Sequence, residues 1–318
     1  MILISIITPV KNYQAYLEDM LKSVIGQSYQ HWELLLVDDH STDLSHKIMT
    51  RWAAKDSRIK VFQNPETGIV PALQHALENA TGSLITRMDA DDLMPPEKLV
   101  LLSEALLNQP DKTIATGLVK YFGDKPISPG YLDYENWLNE TNLRAVQWVK
   151  VYRECVIASP NWMMHTSDLK AMGGFKALVY PEDYDLTLKW YRSDFTIQVV
   201  PKITHLWREH PERTSRTSDH YDQAHFFDLK IRAFADFDWN GQTVIVWGKN
   251  QKSKLTTAKL DSLSIEHQVM GLSDVETVKD FPNRQILVAV YPEKKQRDSL
   301  ESFLEEIGRK EGTDWWYL

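Results

Sequence analysis

The sequence predicts an α/β protein, with helices on both faces of a largely parallel sheet and a smaller α/β unit near its C-terminal end. Two observations favour this class. Apolar runs alternate with amphipathic helical patterns over residues 2–88, and a second series of apolar runs follows a composition change near residues 236–241. A strand that is apolar throughout is typical of a sheet covered on both faces.

The first series consists of strands and helices in strict alternation. Strands are predicted at residues 2–8, 32–37, 59–62 and 83–88. Between them, helices are predicted from apolar positions that recur on one face, namely Leu17, Met20, Leu21 and Val24, then Ile48, Met49 and Trp52, then a run from Pro71 to about Ala80. Alternation of this kind favours right-handed crossovers, with ligands bound beyond the carboxyl ends of the strands.

The second series predicts a separate unit. Strands are expected at 243–247, 265–270 and 285–290, and a charged helix at about 293–307. We therefore divide the chain into a larger domain at 1–236 and a small Rossmann-like domain at 240–318. Gly248 stands alone where a phosphate-binding loop needs three spaced glycines, which argues against a dinucleotide site in this unit.

Composition limits the classes of function. The net charge of −8 argues against a generic polyanion binder, although a local basic patch remains open. Cys155 is the only cysteine in the 318 residues, so no intramolecular disulfide can form, which suits a reducing, cytoplasmic location. The apolar run at 2–10 is shorter than the roughly 20 residues that span a bilayer. No integral membrane segment is predicted, and the oligomeric state stays open.

Three carboxylates follow the fourth predicted strand directly. Asp89, Asp91 and Asp92 lie within four positions, where they repel one another unless a cation lies among them. Oxygen ligands suit Mg²⁺ or Mn²⁺, which usually also bind substrate phosphates. The alternative is a solvated N-terminal cap for a helix opened by residues 93–96. The position after a buried strand favours the metal site.

Two further acidic pairs lie at predicted element ends. Asp38 and Asp39 end the second strand, where a carboxylate can accept hydrogen bonds from a base or a ribose, or can simply cap a turn. Glu182 and Asp183 follow a Gly-Gly-Phe sequence and could supply the base that deprotonates an acceptor hydroxyl. Taken alone, that pair would more often be a helix start.

Basic residues follow another predicted strand, at 195–200. Arg208 could neutralise a diphosphate, and His210 could bind metal or phosphate. A lone arginine or histidine is more often an ordinary surface residue. The acidic clusters elsewhere in the sequence favour a functional interpretation of this pair.

Taken together, these motifs resemble family 2 of the inverting glycosyltransferases. The resemblance extends over residues 2–216 and is carried by residues 5–12, 37–43, 64–68, 87–92, 173–175 and 181–186, which read SIITPVKN, VDDHSTD, NPETG, RMDADD, GGF and PEDYDL. It implies the GT-A fold of nucleotide-diphospho-sugar transferases, a Rossmann-like mixed sheet with helices on both faces. It also implies a one-step displacement that inverts the anomeric configuration.

The resemblance also implies a role for each matching residue. Thr8 and Pro9 would border the nucleotide, Asp39 (or Asp38) would contact the base, and Arg208 would lie over the donor. Asp91 would bind the metal with Asp89 and His210 as further candidates, Asp89 also facing the ribose. Asp183 would be the general base, with Glu182 beside it.

The sequence departs from the family pattern at two places. Ile69 and Gln74 stand near the third helix, where arginine and asparagine are frequent, so donor contacts from this helix are in doubt. His40 follows the two aspartates where glycine is usual, a change that a turn tolerates at modest cost.

The C-terminal layout looks like that of eukaryotic glycosyltransferases that add a sugar to queuosine in tRNA. The similarity rests on arrangement, with Trp315, Trp316 and Tyr317 near the end of the chain. These rings could stack on a base. Packing in a core is the more common use of such residues.

We therefore expect a metal-assisted glycosyltransferase that takes a nucleotide sugar, with a UDP-sugar as first choice. The expected acceptor is a glycan or glycoconjugate precursor, bound by loops within residues 121–160, and a queuosine-containing tRNA is the runner-up. A non-catalytic nucleotide-sugar-binding protein is the alternative of another class. A nucleotidyltransferase is disfavoured, because residues 8–11 contain no glycine.

Overall fold

The computed structural model describes residues 2–175 and 179–318. The chain forms two compact units. The first comprises residues up to 145 together with 157–217, and the second comprises residues 146–156 together with 218–318. Each unit has its own sheet.

The first unit is built on a seven-stranded sheet in the order β3-β2-β1-β4-β6-β5-β7. Strands β1 to β4 are parallel, whereas β6 runs antiparallel to both β4 and β5. The mixed GT-A sheet implied by the resemblance is therefore confirmed. The strands are β1 Ile4–Val10, β2 Trp32–Asp38, β3 Ile59–Gln63, β4 Leu84–Arg87, β5 Thr113–Phe122, β6 Trp162–His165 and β7 Thr196–Arg208.

Within the described residues, seven helices connect these strands, and a short eighth helix, α8, follows β7. The predicted helix opened by residues 93–96 instead begins at Lys98, after a turn that holds the acidic cluster. A fifteen-residue helix, α5, lies in the segment where acceptor loops were expected. The helices are α1 Leu17–Ile25, α2 Ser45–Ala53, α3 Ile69–Asn79, α4 Lys98–Ala105, α5 Pro129–Leu143, α6 Thr166–Ala171, α7 Glu182–Arg192 and α8 Thr214–Thr217.

The core of the first unit lies between this sheet and its helices. All seven residues of β1 and all seven of β2 are buried, as continuous apolar strands require. Leu17, Met20, Leu21 and Val24 present the apolar face of α1 to the same core cluster. Burying such a side chain stabilises the fold by roughly 1.5–3 kcal/mol. The packing fixes the carboxyl ends of β1, β2 and β4, where the candidate residues lie.

The second unit contains a four-stranded parallel sheet in the order β11-β10-β8-β9. Trp315, Trp316 and Tyr317 form its edge strand and are nearly fully buried, so they pack in the core and do not present a stacking surface. The elements are α9 Gln223–Phe237, β8 Val244–Trp247, α10 Gln251–Ser262, β9 His267–Met270, a 3-10 segment Leu272–Asp280, β10 Ile286–Val288, α11 Lys294–Glu306 and β11 Trp315–Tyr317.

Helix α9 lies in the second unit, although the sequence assigned it to the first domain. Phe234 of α9 packs against Trp316, and Asp228 pairs with Lys259 of α10. Tyr152, from the separate segment 146–156, contacts both Phe234 and Trp316. The functional division of the chain at 236/240 stays a prediction.

Candidate functional site

The acidic cluster lies in the turn between β4 and α4, beside the end of β7. Leu93 in that turn and Leu206 in β7 exchange two backbone hydrogen bonds of 3.1 Å. Because this bridge aligns the two segments, the residues after Leu206 lie against the turn. Arg208 and His210 are thereby brought to Asp91, more than 100 residues away in the chain.

Asp91 and His210 form a buried pair. The His210 Nε2 and Asp91 Oδ2 atoms are 2.9 Å apart, and the Tyr16 ring lies 4.4 Å from the His210 ring. Within the described residues, His210 Nδ1 has no hydrogen-bond partner. Burial, followed by the charge of Asp92, raises the pKa of Asp91. A cation near this carboxylate would offset both effects.

Asp92 joins the turn to β7. Its Oδ1 accepts a 2.7 Å hydrogen bond from the Arg208 backbone N–H, and its Oδ2 lies 2.9 Å from His205 Nε2. Both side chains are at most 1% exposed. Burial, followed by the charge of Asp89, raises the pKa of Asp92 to about 7. Burial likewise keeps His205 neutral by holding its pKa well below its usual value.

Lys98 lies beneath this pair at the start of α4. Its ammonium donates a 2.5 Å hydrogen bond to the Pro160 carbonyl, and the side chain is fully buried. Burial lowers the pKa of Lys98 to about 7, while the charges of Asp92 and Asp89 oppose that shift. When protonated, Lys98 stabilises the negative charges of Asp92 and Asp89 in this turn.

Asp89 is directed towards Arg87 and lies apart from the Asp91–His210 pair. Arg87 Nε donates to Asp89 Oδ1 at 2.7 Å, and Arg87 Nη1 donates to Glu182 Oε1 at 2.9 Å. The arginine and Glu182 are about 95% buried. Arg87 therefore links the end of β4 to the start of α7, and Glu182 is its ion-pair partner.

Asp183 lies in the first turn of α7, next to Glu182. Its Oδ1 accepts a 2.8 Å hydrogen bond from the Tyr184 backbone N–H. Burial, followed by the charge of Glu182, raises the pKa of Asp183, and Arg87 opposes the rise. A carboxylate with a raised pKa is a better proton acceptor than an ordinary aspartate.

Asp39 is held in place at the end of β2 by three donors. Its Oδ1 accepts from Asn64 Nδ2 at 2.6 Å and from the Gly68 N–H at 2.8 Å, while Lys11 Nζ lies 3.0 Å from Oδ2. Gly68 has a φ of 111°, which a side chain would strain. Asp39 thus binds three segments together at the predicted nucleotide position.

Asp38 is turned into the loop before α2. It accepts from the Ser41 N–H at 3.0 Å and lies 3.0 Å from His46 Nδ1. His40, which stands where glycine is usual, has a φ of 57°, so it occupies the left-handed conformation that the turn requires. Of the two aspartates, Asp38 serves the local turn.

Thr8 and Pro9 lie inside β1, paired with Leu36 and Val37 of β2. Both are buried, and Thr8 Oγ1 has no hydrogen-bond partner among the described residues. A ligand at this edge of the sheet could supply that partner.

Arg208 supports the acidic turn directly. Its Nε donates a 2.7 Å hydrogen bond to the Asp91 carbonyl, and its guanidinium lies 5.1 Å from the Tyr16 ring and 4.6 Å from the Phe122 ring. The same guanidinium lies 3.5 Å from Asp19. In this arrangement Arg208 positions Asp91 through the backbone carbonyl of that residue.

Sequence reasoning gave no role to several residues that the fold brings to this site. Arg87 adjoins the acidic cluster, and its position just before the cluster could have indicated it. The other three residues interact with aspartates at least six positions away in the chain. Lys11 pairs with Asp39, Lys98 interacts electrostatically with Asp92, and His205 lies beside Asp92, 113 residues away. No local pattern marks such contacts.

The side chains that could bind a metal are compatible with a hard divalent cation. One carboxylate and one imidazole, Asp91 and His210, lie together with an unpaired ring nitrogen. Within residues 2–175 and 179–318, no group of three or more His, Cys, Asp or Glu side chains is arranged to hold a metal. Asp89 therefore does not complete a three-residue site here. Mg²⁺ typically takes one or two carboxylates and completes its shell with water and substrate phosphates.

No helix in the described part of the chain is both long and apolar enough to cross a bilayer.

Known proteins are similar to this chain in sequence. An uncharacterized protein of Sinorhizobium fredii, y4gI, is 29% identical over 66% of the chain but only 23% of its own length. The putative glycosyltransferase EpsE of Bacillus subtilis is 28% identical over 69% of the chain and 77% of its own length. The chain thus spans less than a quarter of the first of these relatives.

Solved structures show the same fold at low identity. Residues 1–349 of S. aureus TarS, in complex with UDP-GlcNAc, superpose with a TM-score of 0.56 at 17% identity, covering 96% of this chain and 80% of that one. The mannosyltransferase PcManGT of Pyrobaculum calidifontis, in complex with GDP-Man and Mn²⁺, gives 0.54 at 19% identity, covering 96% and 85%.

The family model described as "Glycosyl transferase family 2" matches residues 5–173, which is more than half of the chain. That region carries β1 to β6 and the acidic turn. The chain belongs to glycosyl transferase family 2.

Proposed function

We propose that this protein is an inverting glycosyltransferase that moves a sugar from a nucleoside diphosphate to an acceptor hydroxyl. The arrangement at the carboxyl ends of β1, β2 and β4 carries the proposal. The buried Asp91–His210 pair follows β4 there. Arg87, at the end of β4, joins Asp89 to Glu182, which precedes Asp183 in α7. Family membership supports the same reaction class.

A UDP-sugar is the proposed donor. Asp39, held by Lys11, Asn64 and Gly68, would accept a hydrogen bond from the base. Thr8, whose hydroxyl has no hydrogen-bond partner in the described part of the chain, and Pro9 would border the nucleotide. Crystals of the similar TarS hold UDP-GlcNAc, while those of PcManGT hold GDP-Man, so the choice of uridine rests on the first.

Asp91 and His210 would hold a divalent cation, Mn²⁺ or Mg²⁺. When bound, that ion would neutralise the negative charge that develops on the leaving diphosphate. Asp89 lies outside the pair and, through Arg87, would orient the donor ribose. Arg208 would keep the Asp91 backbone in place by its hydrogen bond to the carbonyl.

Asp183 would act as the general base. Its carboxylate accepts the proton of the acceptor hydroxyl while the oxygen bonds to the anomeric carbon and the bond to the diphosphate oxygen breaks. The configuration inverts because the oxygen attacks from the side opposite the leaving group. Glu182 holds Arg87 and does not take the proton.

A glycan or glycoconjugate precursor is the proposed acceptor. The runner-up, a queuosine-containing tRNA, loses the support of the terminal aromatic rings, since these are buried in the second unit. The two acceptors differ in salt response. Binding of tRNA through phosphates weakens by about 0.7–0.9 log units per contact for each log unit of salt. A titration of total tRNA at two salt concentrations separates them.

The first prediction tests metal-dependent donor binding. Asp91→Ala should abolish the Mn²⁺-dependent part of UDP affinity and donor turnover, because it removes the carboxylate of the proposed metal pair. Calorimetric titration of UDP with and without Mn²⁺, together with a donor-hydrolysis screen across nucleotide sugars, measures both.

The control is Glu104→Ala, which removes an exposed carboxylate from α4. It should leave Mn²⁺-dependent affinity unchanged. Native turnover by the Asp91 variant would refute the metal assignment. Binding of UDP without hydrolysis or transfer for any donor would favour the non-catalytic alternative.

A further inference from the structure

The second unit carries a cationic cluster that the proposed chemistry does not use. We name Arg153, Lys252, Tyr291 and Arg297 the arginine–tyrosine cluster. The Arg153 and Arg297 guanidinium carbons lie 4.0 Å and 4.4 Å from the centre of the Tyr291 ring. Tyr291 is 40% exposed, and the three cations of the cluster are each partly exposed, so solvent and ligands can reach it.

The cluster lies at the carboxyl edge of the second sheet. Tyr291 follows β10, and its ring lies edge-on to that of Tyr317 at the end of β11, 5.4 Å away. Lys252, in the first turn of α10, donates a 3.1 Å hydrogen bond to the Leu318 carbonyl. The four members thus come from the segment after β10, from α10, from α11 and from the segment 146–156.

This edge includes the topological switch point of the sheet. From β8 the chain passes to β9 on one side and then to β10 on the other. Ligands of open α/β sheets bind at such points. Gly248, with a φ of 130°, lets the turn after β8 approach closely, since a Cβ there would lie 3.2 Å from Val290 Cβ.

Positive charge exceeds negative charge around the cluster. Glu154 acts on Lys252 and also on Arg153 and the buried Lys230. Glu311 is held by Lys150 at 2.6 Å, and Glu301 acts on Tyr317. Arg153 also acts on Glu311, so three carboxylates, Glu154, Glu301 and Glu311, accompany the three cations of the cluster together with Lys150 and Lys230.

The cations also repel one another. Burial, and then the charge of Arg297, lowers the pKa of Arg153. Burial lowers the pKa of Lys252, and the charge of Arg153 adds to that shift. Like charges held this close cost stability, and a bound anion would offset that cost.

We propose that the arginine–tyrosine cluster is a binding site for phosphate groups, distinct from the donor site and formed by the second unit alone. Guanidinium groups fixed against an aromatic ring are well oriented to bind phosphate oxygens in pairs. The ligand class is a phosphate ester or diester. The proposal does not depend on the glycosyltransferase reaction.

The test uses the whole chain in buffer with a chelator, so that no divalent cation assists binding. Inorganic diphosphate and a single-stranded RNA oligonucleotide are titrated separately into the native protein, Arg297→Gln, Arg153→Gln and Asp91→Ala. Loss of one charged contact should weaken binding by about tenfold or more. Asp91→Ala should bind as the native protein does, since the donor site lies in the first unit.

Lys295→Gln is the matched control, because it removes one exposed positive charge from the same helix, α11. It should lose little affinity. Diphosphate binding that depends on Arg297 identifies a small phosphorylated ligand, and tighter, Arg297-dependent RNA binding identifies a polynucleotide. Absence of binding by both probes at low salt, or equal losses in Arg297→Gln and Lys295→Gln, overturns the proposal. Thermal unfolding of each variant verifies that it is folded.

Discussion

At the scale of single residues, the environment decides which acid can do which task. Asp91, Asp92 and Asp183 all have raised pKa values, and burial is the first cause for each. Only Asp183 combines that shift with a position in the first turn of a helix. Asp92 is committed to His205 and the Arg208 backbone. The three carboxylates therefore differ in role although their residue type is the same.

A pH prediction belongs to this scale. Because the pKa of Asp183 is raised, its carboxylate becomes protonated at a higher pH than an ordinary aspartate and then cannot accept a proton. Transfer rate should fall as the pH is lowered through that raised value, while UDP binding persists. Asp183→Asn should reduce the rate by about 10²–10⁴.

The measurement is the pH profile of kcat with Mn²⁺ and UDP-sugar, beside UDP affinity for the same samples. Asp185→Asn serves as the control, since Asp185 also lies at the start of α7 and pairs with Lys189. Loss of UDP affinity in Asp183→Asn, with transfer per bound donor intact, would contradict the assignment as base.

At the scale of elements, the site depends on how β7 meets the turn after β4. The strand was predicted at 195–200, but it continues to Arg208 and is fastened there by Asp92, His205 and the Leu93–Leu206 bridge. That extension brings His210 to Asp91. Sequence periodicity could not predict it, because the extension is stabilised by partners from another part of the chain.

A stability prediction follows for Asp92. Asp92→Ala leaves the Arg208 N–H and His205 Nε2 buried without their partner, which costs about 1–3 kcal/mol for each group. The variant should be measurably less stable, and UDP affinity with Mn²⁺ should fall as His210 moves. Asp91→Ala removes the partner of a single buried ring nitrogen, His210 Nε2, so it should lose less stability than Asp92→Ala while it loses the Mn²⁺-dependent UDP affinity.

Urea unfolding and UDP titration of both variants provide the comparison. His205→Gln can restore a hydrogen bond to Asp92 and should be milder than His205→Ala. If the urea midpoint of unfolding of Asp92→Ala equals that of the native protein, Asp92 does not hold β7 against the turn after β4.

At the scale of the whole molecule, the two units divide the chain discontinuously. Residues 146–156 leave the first unit and supply Tyr152 to the core of the second, where its hydroxyl lies 2.5 Å from Asp238. The sequence predicted two consecutive domains because apolar patterns mark strands, whereas an excursion of eleven residues leaves no compositional trace.

A truncation tests the independence of donor binding. A chain ending after Asp238 lacks Trp316, on which Tyr152 packs, and should melt at a lower temperature. It should nevertheless bind UDP with Mn²⁺, since every residue proposed to contact the donor lies in the first unit. Calorimetry and UDP titration measure both; a well-folded truncated chain without UDP affinity would contradict this division.

The sequence by itself determined the fold class, the family resemblance and the positions of the acidic clusters, because each depends on residues close together in the chain. A short run of neighbouring residues, such as 32–37, predicts a buried strand, and a run such as 89–92 forms an acidic motif. Only the tertiary structure decided that Asp91 meets His210, that Asp92 holds β7 and that Arg87 joins Asp89 to Glu182. These pairings depend on packing between segments about 90 to 120 residues apart, which no local pattern encodes.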